Sequence, residues 1–274
     1  MGTTLRRIRK FVQKSAKLAD LDTGEARLAA TIVAAISRNE TCLVSDAART
    51  INRDEELRVL ARPFYDGLSQ KRSGLDALPD TWLRIVAPAA NKMPFIAVDP
   101  SDIAKPHGKA FDNLDIVRDA SDRDKRKLPG FHTVQIEATD DLHRNLPLWH
   151  EIFSTVAPGY QGWYETIGRA VLAVLAHVGA NATWLFDRGC DAGEFYSFLQ
   201  AIRVTWVVRQ LATRNVVIGS GATIPMADLA ASLHKPHPLL VPYVHKKTHE
   251  VRCWPVRFGF APGRLPVVNG RLWM

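Results

Sequence analysis

Long apolar runs, paired cysteines and internal repeats are all missing from this chain of 274 residues. The longest apolar run, Ala170 to Ala176, falls far short of the roughly 20 residues that a membrane helix needs. The three cysteines, Cys42, Cys190 and Cys253, form no Cys-x-x-Cys pair and leave one over. A disulfide framework is therefore not expected, and a reducing compartment fits the composition better. The basic N-terminus is not followed by an apolar core, so no secretory signal is expected. With 46% apolar and 23% charged residues the chain is not of a disordered type either. These absences exclude a membrane protein, a secreted disulfide scaffold and a low-complexity chain.

Acids are scarce at both ends, and that scarcity says more than the net charge of +8. From Phe195 to Met274 ten basic residues face only Asp228 and Glu250, so this segment carries the whole net charge. At the other end Arg6, Arg7, Arg9, Lys10, Lys14 and Lys17 precede the first acid, Asp20. Two basic ends around a neutral middle point to a polyanionic partner. The opening segment could also be read as an Arg-rich organellar presequence, but it is nearly free of serine.

The first ninety residues read mainly as helix. Asp22 and Glu25 have the spacing of a reciprocal N-terminal cap. Leu28, Ala29, Ile32, Val33 and Ile36 follow as one apolar face, with Asn39 as a stop. Ser45 can cap a short helix over residues 46–50, and a longer one runs from Asp54 to the break at Pro63. Short helix, turn and longer helix is a helix-turn-helix outline, although any small helical bundle gives the same pattern.

Beyond Met93 the texture changes. Phe95 to Asp99 is a short strand-like run ending in a carboxylate, broken at Lys105 to Gly108. A charged loop spans Asp119 to Pro129, and His132 to Ala138 alternates like a strand. A strong helix runs from Gly162 to Gly179. Thr183 to Asp187, Ala192 to Ile202 and Val204 to Val208 then read as strand, helix and strand, a βαβ unit with parallel strands. From Thr213 onward short segments punctuated by Gly and Pro read as β-rich, apart from a helix at Met226 to Leu233. The expected organisation is a helical N-terminal region (1–92), an α/β core (93–212) and a β-rich part (213–274).

Asp99 and Asp187 each end an apolar strand. In α/β sheets ligands gather beyond the carboxyl ends of strands. Two carboxylates side by side there repel each other, and Mg²⁺ relieves that repulsion with oxygen ligands. The alternative is that strand-end aspartates cap turns or pair with arginine. Asp102, three residues past Asp99, should point away from it and serve a turn. Cys190 has no sequence-adjacent histidine and reads as structural. Trp163, Trp184 and Trp206 read as core. His234, His237, His245, His249 and Cys253 have possible zinc spacings, but a solvated basic face meeting DNA is the preferred reading.

The residues around both aspartates resemble the DDE transposases of bacterial insertion sequences, in the cut-and-paste group with a β-rich insertion. The first match is Val98-Asp-Pro-Ser-Asp-Ile103 with Lys105-Pro and Gly108-Lys-Ala-Phe111. The second is Trp184-Leu-Phe-Asp-Arg-Gly189, then Asp191 and Glu194-Phe195. Pro147-Leu148, Phe153-Ser154 and Ala157-Pro158 sit between them where the family has comparable residues. The resemblance covers roughly residues 60 to 212. It implies an RNase H-like fold, a mixed five-stranded sheet flanked by helices. It carries the family's two catalytic aspartates onto Asp99 and Asp187, holding Mg²⁺ or Mn²⁺. It implies double-stranded DNA as partner, element ends and target alike, with a dimer on DNA, in the bacterial cytoplasm at the nucleoid. Lys105, Lys109, Arg188, Arg209, Lys246 and Lys247 are the expected DNA contacts. In the family, water attacks the phosphodiester at the element end and the freed 3′-hydroxyl attacks the target. The family's third acid, a glutamate in a Tyr-x-x-Arg helix, has no counterpart, since only Asp228 and Glu250 follow Glu194. The expectation is a chain that stops inside the insertion without its third acid, either a transposase or an inactive DNA-binding remnant that regulates transposition.

Overall fold

The computed structural model describes residues 2–39, 48–49, 61–62, 65–66, 77–108, 111–118, 126–142, 144–245, 248, 250–260, 262–266 and 272–273. Its centre is a six-stranded mixed sheet. The strands are β1 (Phe95–Ala104), β2 (Asp115–Arg118), β3 (Lys127–Thr139), β4 (Asn145–Phe153), β5 (Thr183–Phe186) and β6 (Thr205–Val208). The order is β2-β3-β1-β5-β6, with β4 also pairing β3. β2 takes residues 127–130 of β3 and β4 takes residues 132–139, so the two lie end to end along it. β1 is antiparallel to β3 and parallel to β5, and β5 is parallel to β6.

The helices are α1 (Gly2–Leu18), α2 (Thr23–Asn39), α3 (Leu78–Ala90), α4 (Trp163–Val178) and α5 (Gly193–Ala201); α3, α4 and α5 pack into the core with the sheet, while α1 packs on α3 and α2 on α1. α5 joins β5 to β6 as the expected βαβ unit. The cap expected for α2 is present. Glu25 N–H donates to Asp22 Oδ1 at 2.8 Å, and Asp22 N–H donates to Glu25 Oε2 at 3.1 Å. The described part of the helix reaches Asn39, the expected stop. Ala30 rather than Val33 is buried on it; Val33 is exposed. The helices expected over residues 46–50 and from Asp54 to Pro63 lie outside the described residues, apart from residues 48–49 and 61–62.

One apolar core joins these layers. α3 contributes Leu83, Val86, Ala87 and Ala90, the sheet contributes Ile96, Val98, Val134, Ile136 and Trp184, and α4 contributes Ile167, Val171 and Val174. Each fully buried aliphatic or aromatic side chain of this kind contributes about 1.5–3 kcal/mol. Trp184 is fully buried, whereas Trp163 and Trp206 are only partly buried against this core. Phe11 of α1 packs edge-on to Trp82 of α3 with ring centroids 6.0 Å apart. The Trp82 indole N–H in turn donates to the Pro147 carbonyl of β4 at 2.9 Å.

The β-rich part has two pieces. β7 (Asn215–Val217), β8 (Thr223–Pro225) and α6 (Met226–Ser232) place Val216 and Leu229 in the same core. Beyond them β9 (His237–Val244) and β10 (Val251–Phe258) form a two-stranded ribbon with Leu239, Leu240, Val251 and Trp254 exposed. β11 (Pro262–Gly263) and β12 (Leu272–Trp273) make a second short pair.

Two expectations are corrected. β1 does not end at Asp99 but continues to Ala104, because β3 pairs with it along its full length. β5 stops at Phe186, opposite Val98, so β1 has an open edge beyond that point. An open edge tolerates Pro100, which has no N–H to give. The charged loop is shorter than expected, since Lys127, Leu128 and Pro129 belong to β3 and pair with β2.

Candidate functional site

The two aspartates singled out in the sequence come together. Val98 and Phe186 are the last paired residues of the parallel strands β1 and β5. Asp99 and Asp187 follow them directly, Asp99 within β1 and Asp187 just past the end of β5, and neighbouring strands lie about 4.8 Å apart. The alternating burial of β1 puts Ile96 and Val98 inside and leaves Asp99 exposed. Although the residue as a whole is exposed, its carboxyl is held above the usual 3.8, first by partial desolvation and second by the negative charge of Asp187. The pair thus carries like charge that only Arg209 offsets, at Asp187, and a divalent cation relieves such repulsion.

Asp187 leads into a short 3₁₀ turn, Arg188–Cys190. Its carbonyl accepts from Cys190 N–H at 3.0 Å, and Cys190 is fully buried beneath the pair. Burial, then the charges of Asp187 and Asp99, push the Cys190 thiol up to about 12. It is therefore a neutral apolar floor and not a nucleophile. Arg209, just after β6, lies with its guanidinium 3.6 Å from Asp187 Oδ1, and its backbone N–H donates to the Phe186 carbonyl at 3.0 Å. Arg188 is exposed on the 3₁₀ turn beside it.

The other expected contacts do not converge here. Lys105 sits beyond the far end of β1, six residues past Asp99, roughly 20 Å along the strand. Lys109, Lys246 and Lys247 lie outside the described residues. Asp228 is exposed in the first turn of α6, and Glu250 pairs with Arg252 at 2.9 Å on the ribbon. Among the described residues no cluster of three or more His, Cys, Asp or Glu side chains could hold a metal ion. Among the described residues the zinc spacings bring no ligand set together: the His237 ring packs on Phe258 and Phe260, and Cys253 is exposed. His249 lies outside the described residues.

Asp102 serves no turn. It is paired within β1, where its Oδ1 lies 2.7 Å from His132 Nδ1 and its Oδ2 accepts from Arg118 N–H at 3.2 Å. The other ring nitrogen of His132 lies 3.4 Å from Asp115 Oδ2. Sequence reasoning also missed Asp191. Its carboxylate is fully buried and accepts from Tyr196 O–H at 2.6 Å and from Leu211 N–H at 2.8 Å. Its partners lie 5 to 23 positions away in the chain, so only the placement of an acid next to a buried cysteine could have hinted at it.

No family model matches the chain, and no curated protein matches it either. Among the described residues no helix is long and apolar enough to cross a membrane.

Proposed function

We propose that the chain is a DDE-type transposase protein with an RNase H-like core, acting on double-stranded DNA at Asp99 and Asp187. The observation that carries this reading is the placement of Asp99 and Asp187 directly after the last residues that pair two adjacent parallel strands. The succession of α4, β5, α5 and β6 supports it, because the resembling family has a βαβ unit after a long helix. The raised carboxyl of Asp99, coupled to the charge of Asp187, supports a divalent cation as the partner of the pair.

In this reading Asp99 and Asp187 hold Mg²⁺ or Mn²⁺ through carboxylate oxygens. When bound, the cation supplies positive charge to the attacking and leaving oxygens of a phosphodiester. Arg209 moderates the charge of Asp187 and, with Arg188, offers guanidinium donors to the DNA backbone beside the pair. The basic N-terminal helices and the tail add sequence-independent phosphate contacts. Element ends and target DNA are the expected partners, with a dimer assembled on the DNA in the cytoplasm.

A second reading is favoured by one observation: no third acid joins the pair among the described residues. In that reading the protein grips DNA without cutting it and regulates transposition. Nicking of supercoiled plasmid in the presence of Mn²⁺ separates the two. Nicking lost in both Asp99→Ala and Asp187→Ala supports the enzyme. Binding without nicking supports the regulator. Nicking unchanged in both variants rules out this site.

A further inference from the structure

We infer that Asp191 is a positioning residue: its buried carboxylate locks the Asp187 turn to the segment after β6 and so fixes Asp187 and Arg209 beside Asp99. This inference rests on the reading of Asp99 and Asp187 as a cation site.

Asp187 needs such a hold. It lies past the end of β5, with its side chain half exposed, on a turn of three residues. Strand hydrogen bonds fix the turn only at its start. At its end stands Asp191, whose carboxylate is completely buried. Burying a carboxylate is costly unless it is fully bonded, and here it is. Oδ1 accepts from Tyr196 O–H at 2.6 Å and faces the Arg214 guanidinium at 2.7 Å, and Oδ2 accepts from Leu211 N–H at 2.8 Å. Arg214 also donates to the Asp191 carbonyl at 2.5 Å, and Gln210 donates to Tyr196 Oη at 2.5 Å.

These partners share one direction. Leu211, Gln210 and Arg214 all belong to the segment that follows β6, the same segment that carries Arg209. That segment is tied at its other end by Arg209 N–H to the Phe186 carbonyl, one residue before Asp187. The two segments are therefore clamped on both sides of the Asp187–Arg209 contact. Releasing the Asp191 end leaves the turn held only by the strand anchor, its own backbone bonds and the buried Cys190, so that Asp187 can shift relative to Asp99. Residues that orient metal ligands from behind typically change metal affinity by about 10–100-fold.

The test uses the full chain and Mn²⁺, with free ion read by its EPR signal. Asp191→Asn keeps the shape but loses the charge that faces Arg214. Val171→Ala, in the α4 core, lowers the melting temperature without touching the turn. The expected result is at least about tenfold weaker Mn²⁺ binding in Asp191→Asn and wild-type affinity in Val171→Ala. Equal affinity in Asp191→Asn and Val171→Ala overturns the inference. Should Asp191→Asn not fold, Tyr196→Phe removes one of the same hydrogen bonds. It is expected to weaken binding roughly threefold, and wild-type affinity there overturns the inference.

A second arm keeps the two readings apart. If the wild type binds no Mn²⁺, the cation-site reading fails, and labelling of Cys190 by a thiol reagent decides the role of Asp191. In a background without Cys42 and Cys253, faster labelling of Cys190 in Asp191→Asn than in Val171→Ala supports the clamp, and equal rates overturn it.

Discussion

Asp187 stands next to Asp99 across a parallel strand pair, one residue beyond the contact of Phe186 with Val98. The arrangement by itself costs stability. Asp99's carboxyl is raised above 3.8 by burial and then by Asp187. The folded chain therefore holds this proton to higher pH than the unfolded chain. Stability is greatest below the unfolded value and falls as pH climbs through the raised one. Asp99→Asn removes that cost. It should melt about 1–3 °C higher than the wild type at pH 7 without metal, with the difference closing as pH falls toward 3.8. Circular dichroism melts at pH 7 and pH 4 read both effects.

Added cation should reverse the ranking. Mg²⁺ at about a hundred times its dissociation constant stabilises the state that binds it by about 2.7 kcal/mol. The wild type should therefore melt several degrees higher in Mg²⁺, while Asp99→Asn and Asp187→Asn should not respond. A thermal-shift titration checks this, and an equal response in all three proteins contradicts it.

Asp115 has the opposite sign. Burial works to raise its carboxyl, but hydrogen bonds from Thr155 O–H, Ile116 N–H and Thr155 N–H, together with nearby His132, hold it below 3.8. Its stabilisation is complete above the unfolded value and is lost as pH falls through the folded one. Asp115→Asn should cost about 1–3 kcal/mol in urea unfolding at pH 7. The gap to wild type should narrow below pH 3.8.

DNA binding should be strongly salt-dependent, because phosphate contacts release counterions. Arg209 lies beside Asp187 with 72% of its side chain exposed. Arg209→Ala should reduce the slope of log affinity against log salt by about one. Fluorescence anisotropy on a double-stranded oligonucleotide over a salt series measures it. An affinity indifferent to salt contradicts a phosphate-bound complex.

Local signals were legible in the sequence. The reciprocal cap of Asp22 and Glu25, the α4 helix and the β5–α5–β6 unit each lie within a short span, and each is present. The approach of Asp99 to Asp187 was legible because each follows a short apolar run. What depends on distant partners was not. β1 runs past Asp99 because β3 supplies its hydrogen bonds, and β4 was not foreseen because it takes its edge from β3. Asp102 resembled a turn residue, yet it lies in mid-strand opposite His132, 30 positions away. Asp191 stood in the second matching stretch, but its structural role was not legible because its charge is answered by Arg214, 23 positions on.

The central claim is that Asp99 and Asp187 jointly hold a divalent cation. Crystals grown with Mn²⁺ and recorded at the manganese edge test it most directly. The account predicts an anomalous peak within about 2.0–2.3 Å of one carboxylate oxygen from each aspartate. A saturating Mn²⁺ concentration that leaves no peak between them, or a peak that persists in Asp99→Asn and Asp187→Asn, would contradict it.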